Sequence, residues 1–205
     1  MNHRTEHANL WGHSTRSLPL ITLAVLGLMV AGGWASRVGW VEMPNFKPVG
    51  ALALFAGFYF RRVWMAWVAV AAMMLCSDWT LGFYERPLLI AVYASLALAS
   101  LLGALVQRSW RQSGRSGLRL WGQFLGASLA ISTLFYLLTN GTVWALGQWY
   151  PRTSTGLVDC YLAGLPFFRA TLCSDLLFSQ ALLMTYAFAA GWLGRTKAVT
   201  AAIDG

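Results

Sequence analysis

The sequence predicts an all-α integral membrane protein with six transmembrane helices and both termini in the cytoplasm. Three observations carry that expectation. Of the 205 residues, 58% are hydrophobic and only 11% are charged. A soluble domain carries about 25% charged residues, so this chain cannot cover a globular surface. The apolar residues fall in six runs separated by polar breaks, and the arginines gather in alternate breaks, as the positive-inside bias requires. The net charge of +8 does not indicate nucleic acid, because no basic face is interleaved with stacking aromatic residues in a polar context. The expected surroundings are a lipid bilayer.

Residues 1–17 read as a cytoplasmic tail holding Arg4, Arg16 and the three histidines, His3, His7 and His13. His3 and His7 have the spacing of a metal pair on a helix, but a solvated tail is the better reading. Leu18–Ser36 is longer than the roughly 7–15 apolar residues of a signal peptide and is followed by further spans, so it reads as a retained helix. Pro48–Phe60 and Val63–Ser77 are short against the ~20 residues that a bilayer core needs, and Arg61-Arg62 divides them. Pro87–Val106, Leu120–Thr139 and Phe167–Leu193 complete a membrane domain over 18–193, and 194–205 form a second cytoplasmic tail.

Charge fixes the count of spans. With six spans and the N-terminus inside, the inner segments hold ten basic residues: Arg4, Arg16, Arg61, Arg62, Arg108, Arg111, Arg115, Arg119, Arg195 and Lys197. The outer segments hold five: Arg37, Lys47, Arg86, Arg152 and Arg169. Merging the two short spans would send the four-arginine loop outside, against the same rule.

Five of the seven carboxylates, Glu42, Asp78, Glu85, Asp159 and Asp175, fall on or near the outer side. Asp78 and Asp175 lie closest to hydrocarbon, where an ionisable group is costly. Each either serves a site, or accepts backbone N–H bonds or pairs with Arg86 or Arg169. The outer connections 37–47, 78–86 and 140–166 are richer than the inner ones, and a connection as long as the third is expected to be functional. Trp144, Trp149, Tyr150 and Tyr161 in it are either an interfacial belt or part of a ligand site.

The tetrapeptide Leu-Cys-Ser-Asp occurs at 75–78 and at 172–175, a match short enough to read as coincidence. Cys76 ends the third span, Cys160 lies in the third outer connection, and Cys173 opens the sixth span. No Cys-x-x-Cys pair is present, which argues against disulfide exchange. Cys160 and Cys173 either pair in an oxidising compartment or stay free. An isolated thiol in an apolar wall is inert packing, or a soft ligand that completes the coordination of a metal held in a macrocycle. No histidine falls on the outer side, so a cysteine would have to supply such an axial bond, and no free metal ion is expected. No Ser-His-Asp set or nucleotide loop is visible, so an enzyme of ordinary type is not expected.

Pro44-Asn45-Phe46-Lys47-Pro48-Val49-Gly50-Ala51-Leu52-Ala53-Leu54-Phe55-Ala56-Gly57, then Ser77-Asp78 with Gly82-Phe83-Tyr84, carry a resemblance that Thr139-Asn140, Tyr150-Pro151 and Cys160-Tyr161 through Leu165-Pro166-Phe167-Phe168 extend. From about Pro44 to Leu177 the chain resembles the substrate-binding S-components of energy-coupling-factor (ECF) vitamin transporters. Within that group, a cysteine ending the third helix before Ser-Asp is similar to the BtuM family of cobalamin transporters. The resemblance implies a six-helix ECF S-component-like fold in the bacterial inner membrane, with cobalamin (vitamin B12) as transported ligand. It further implies that Cys76 is the axial cobalt ligand, and that the protein works alone or with an ECF coupling module. Span one offers Gly27-x-x-x-Ala31 and Ala31-x-x-x-Ala35 as the small-residue docking pattern for such a module. A thiolate on cobalt competes with other axial ligands, so bound cyanocobalamin is expected to lose cyanide.

A bulky corrin edged with amides wants a wide outer cavity with apolar walls and a few polar groups. The candidates for polar contact are Asn45, Asp78, Thr80, Tyr84, Asn140, Tyr150, Arg152 and Tyr161, with Trp79, Phe83 and Trp144 for the walls. Two other readings stay open. The ligand is another vitamin or cofactor precursor and Cys76 is packing, or the chain is a structural subunit of a larger membrane complex.

Overall fold

A computed structural model describes residues 18–39, 45–60, 62–83, 85–112 and 117–203, with side chains described within 23–189. The described residues form six helices and no strand: α1 (Leu18–Val38), α2 (Val49–Tyr59), α3 (Val63–Leu81), α4 (Arg86–Gln112), α5 (Gly117–Leu146) and α6 (Ser154–Ile203). Four of them, α3 to α6, are long and apolar enough to cross a membrane.

The helix that organises the bundle is the shortest. α2 has 11 residues, about 16 Å of rise, roughly half the ~30 Å hydrocarbon core. The expected span Pro48–Phe60 is therefore too short to cross by itself. Its sequence is apolar on every side, and every residue from Ala51 to Phe58 is buried, as a helix without a polar face must be. It packs most extensively on α4 and also touches α1, α3, α5 and α6. Glycines permit the close crossing with α4: a Cβ on Gly57 would collide with the Ser100 carbonyl, and one on Gly103 with that of Leu54. Small residues at membrane helix contacts serve this purpose. At the end of α2, Gln107 of α4 donates to the Phe58 carbonyl, one of the acceptors a helix C-terminus leaves unpaired.

Phe58 also anchors an aromatic cluster, edge-on to Phe124 of α5 at 5.0 Å and to Tyr186 of α6 at 5.6 Å. On α3 the buried residues are Ala66, Ala69, Val70, Met73, Met74, Ser77 and Asp78, one stripe at helical spacing. That stripe lies against α1, and α3 also contacts α2 and α4.

The third outer connection differs from the expected loop over 140–166. α5 continues to Leu146 and α6 begins at Ser154, leaving only residues 147–153 between them. The Thr and Asn residues at this end of α5 turn back onto their own helix: Thr139, Asn140 and Thr142 donate to the carbonyls of Phe135, Tyr136 and Leu138. Such bonds to the preceding turn keep short polar side chains compatible with a helix. Two tyrosines lock the extended ends together. Tyr136 donates to the Tyr161 carbonyl at 2.6 Å, and Tyr161 to the Leu137 carbonyl at 2.8 Å. α6 runs through Pro166 without interruption. Likewise α3 continues past Ser77 to Leu81, and α4 from Arg86 to Gln112.

Candidate functional site

The connection into α2 and its first turn close the bottom of a cavity between α2, α4, α5 and α6. An upper chamber of about 310 Å³ is walled by Leu88, Phe135, Tyr136, Asn140, Gly164 and Phe168 among others. A lower chamber of about 110 Å³ has Arg37, Lys47, Gly50, Met74, Ser95 and Asp175 in its wall. The two share Asn45, Val92, Phe135 and Thr171. A third chamber of about 270 Å³, between Glu85, Pro87, Leu146 and Trp149, shares Leu88 and Val143 with the upper one. The series therefore runs from the end of α5 down to the start of α2.

The depth of that floor follows from α5. Ser132 stands midway along Gly117–Leu146, about 22 Å from either end. Its hydroxyl donates to Asp175 Oδ2 at 2.8 Å, and the Ala51 N–H donates to Asp175 Oδ1 at 2.9 Å. α2 thus begins near the middle of the bundle. Asp175, 2% exposed, satisfies one of the N–H groups that a helix start leaves unpaired, and it is placed at the positive end of the helix dipole. The approach needs glycine: a Cβ on Gly50 would lie 2.5 Å from the Asp175 carboxylate.

The other buried aspartate ties a different set of helices. Asp78 Oδ1 lies 2.7 Å from Arg37 Nη1 of α1, with side chains 0% and 6% exposed. Tyr93 of α4 donates to Asp78 Oδ2 at 2.8 Å. Arg37 also donates to Ser77 Oγ, and to the Met74 carbonyl at 3.4 Å. The two Leu-Cys-Ser-Asp copies consequently share one pattern, with the serine and aspartate buried and the cysteine exposed. Each carboxylate joins its own helix to two others. Of the expected partners, the backbone N–H was right in kind for Asp175, whereas Asp78 pairs with Arg37 and not with Arg86.

The expected site residues separate into groups. Asn45 and Asn140 line the cavity. Asn45 has φ of 60°, a left-handed conformation that asparagine tolerates. Its carbonyl accepts the Lys47 N–H at 3.0 Å. Tyr161 and Trp144 are used in the frame, Trp144 donating to the Pro151 carbonyl at 3.1 Å. Tyr150, Arg152, Thr80 and Phe83 are not among the residues lining the three chambers. Trp79 and Phe83 are exposed, at 82% and 55%. Tyr84, Glu42, Arg61, Arg115 and residues 1–17 with their histidines lie outside the described residues.

Cys76 is exposed and lines none of these chambers. Met74 does line the cavity. Two residues further on, Cys76 is turned about 200° round the helix, on the far side of α3. All three cysteines are free. Cys160 and Cys173 do not pair, because both lie on α6, 13 residues and about 20 Å apart, against a Cα separation below about 7 Å for a disulfide. The buried Cys160 thiol faces the Asn140 carbonyl at 3.4 Å.

Arg37, Lys47, Gly50 and Ser132 are cavity or cavity-floor residues that sequence reasoning did not select. The available signal was position: Arg37 and Lys47 bracket the connection that leads into an apolar helix, where a charge is costly unless used. No curated protein and no solved structure matches the chain. A family model matches residues 17–198, from the start of α1 into the last turns of α6. The chain therefore belongs to that family, a family of unknown function (DUF6580).

Proposed function

We propose that this protein is a solute-uptake component of the bacterial inner membrane, built in the manner of an ECF S-component. In this reading the chain crosses the bilayer six times, one of the crossings made by α2 together with the connection that leads into it, with both termini in the cytoplasm and the solute received from outside. The observation that carries this reading is a half-length helix, α2, starting near mid-depth against a cavity. Irregular backbone at membrane depth is tolerated where it lines a cavity, and broken helices of this kind form the solute sites of transporters. The chambers gather where α4 begins and α5 ends, at the opposite end from Arg62, Arg108, Arg111 and Arg119. On the positive-inside rule they face out. Gly27 on α1 has open space about its Cβ position, which suits docking of a coupling module on that helix.

The cargo that the sequence resemblance names is cobalamin. The amides of Asn45 and Asn140 and the hydroxyls of Thr139 and Thr171 suit its amide-decorated edge, and Phe135, Phe168 and Leu88 suit its apolar ring. The geometry lends no support to a cobalt bond from Cys76, which faces away from the cavity. Loss of cyanide from cyanocobalamin needs that bond and is not part of this reading.

The test is equilibrium binding and the visible spectrum of purified protein with cobalamin, in wild type, Asn140→Leu and Cys76→Ser. Expected are binding by wild type, weaker binding by Asn140→Leu, and the wild-type spectrum in Cys76→Ser. A changed spectrum in Cys76→Ser would restore the cobalt ligand and place the corrin on the outer end of α3. Absence of cobalamin binding overturns the cargo. Mass spectrometry of co-purified small molecules then separates another vitamin from a structural subunit without ligand.

A further inference from the structure

The upper chamber of about 310 Å³ offers a solute acceptors more than donors. Six polar side chains line it, Asn45, Ser132, Tyr136, Thr139, Asn140 and Thr171, and none of the lining residues is charged. Five of the six already donate to the protein. Ser132 donates to the Asp175 carboxylate at 2.8 Å, and Tyr136 to the Tyr161 carbonyl at 2.6 Å. Thr139 donates to the Phe135 carbonyl at 2.7 Å, and Thr171 to that of Phe167 at 3.0 Å. The Asn140 amide nitrogen donates to the Tyr136 carbonyl at 2.9 Å.

A hydroxyl has one hydrogen and two lone pairs, so these four hydroxyls keep only acceptor capacity for a solute. Asn140 keeps its carbonyl oxygen and one amide hydrogen. Gly164 gives that oxygen room, since a Cβ there would lie 2.5 Å from Asn140 Oδ1. Asn45, the sixth, carries an amide with donors and acceptor alike. The backbone adds no donor on the α5 and α6 walls. Their lining stretches, 132–143 and 164–171, lie inside the helices, where N–H groups close the helical bonds.

The way in has the same character. The third chamber has Glu85 and Thr142 in its wall, and Thr142 donates to the Leu138 carbonyl at 2.8 Å. Arg37 and Lys47 line the lower chamber and neither of the others, set against the carboxylates of Asp78 and Asp175. A carboxylate has acceptors only. In the upper chamber it would face lone pairs without a cation and would lose its hydration. An amide or amine N–H meets open oxygens there, while Phe135, Phe167 and Phe168 take an apolar remainder.

We propose that the upper chamber selects its solute by N–H donors: it takes a primary amide or amine carried on an apolar ring, and rejects a carboxylate in the same place. This rests on the uptake reading for the identity of the site but not on cobalamin as cargo.

Three probes that share a phenyl ring separate donors from shape and charge. Benzamide has N–H donors, acetophenone carries a methyl group of similar size in place of the NH2, and benzoate is the carboxylate. Each fits a chamber roughly twice the 150 Å³ of a cavity that holds benzene. Dissociation constants come from saturation-transfer NMR titrations of full-length wild-type protein in detergent, with the signal of protein-free micelles subtracted. Benzamide is expected to bind about tenfold more tightly than acetophenone, the effect of one or two hydrogen bonds, and benzoate more weakly than either. Thr139→Val keeps the shape and removes one acceptor. It is expected to weaken benzamide about threefold and to leave acetophenone unchanged. Equal affinities for benzamide and acetophenone, tighter binding of benzoate, or no binding of any probe would overturn the selection. Equal weakening of both neutral probes in Thr139→Val would overturn it too. Cobalamin binding is scored separately. Donor-selective probe binding without cobalamin binding removes the cargo and keeps the selection, and cobalamin binding without donor preference removes the selection alone.

Discussion

Arg37 Nη1 and Asp78 Oδ1 stand 2.7 Å apart with both side chains almost fully buried, tying the end of α1 to the end of α3. Tyr93 brings α4 into the same cluster. Removing one partner of a buried pair leaves an uncompensated charge, which costs about 3–5 kcal/mol. Arg37→Leu and Asp78→Leu are each expected to lower stability by about that amount. The double variant is expected to lose less than the sum, because neither charge is then stranded. Tyr93→Phe, which removes one hydrogen bond, is expected to cost about 1 kcal/mol. Unfolding midpoints in SDS-containing mixed micelles check all four, and additive losses in the double variant would contradict the pairing.

Glycine positions separate close helix approaches from open surface. Gly50→Ala sets a methyl group 2.5 Å from the Asp175 carboxylate, and Gly57→Ala drives one into the Ser100 carbonyl. Overpacking of this kind costs about 1–3 kcal/mol. Gly126→Ala on α5 meets nothing within 4 Å and is expected to leave the same unfolding midpoint unchanged or slightly raised. A similar midpoint for all three variants would contradict the close packing around α2.

The three thiols are predicted to behave differently. In detergent, a small maleimide should modify the exposed Cys76 and Cys173 within minutes and leave Cys160, which is 2% exposed. Denaturation should expose Cys160. Intact mass without reductant should show no loss of hydrogens to a Cys160–Cys173 bond. Early modification of Cys160 would show that the α5–α6 contact near Asn140 opens.

Much of the helical framework is legible in the sequence, because hydropathy and arginine placement each report a single dimension, distance from water. Five of the six expected segments correspond to helices whose bounds shift outward by a few residues or more, since Thr, Asn and Ser bond back to the preceding turn and do not end a helix in an apolar bundle. α2 is the exception: the same apolar composition that reads as a span serves as a central core helix. The candidate site was legible only in part. Asn45 and Asn140 were found by being polar near the outer edge. Gly50, Ser132 and the lower-chamber role of Lys47 were not, since their meaning comes from neighbours up to 125 positions away, such as Gly50 and Asp175.

What the sequence by itself determined is the class of protein: too little charge to cover a soluble surface, apolar runs with arginines between them, and two aspartates that had to be buried or used. What only the tertiary structure decided is the partner of each charge. Asp78 took Arg37 and Tyr93, Asp175 took the start of α2 and Ser132, and Lys47 was left facing a cavity. The physical reason is that apolar faces are nearly interchangeable and leave helix neighbours undetermined along the chain. Hydrogen bonds and ion pairs act over about 3 Å and exist only once the packing has brought their atoms together.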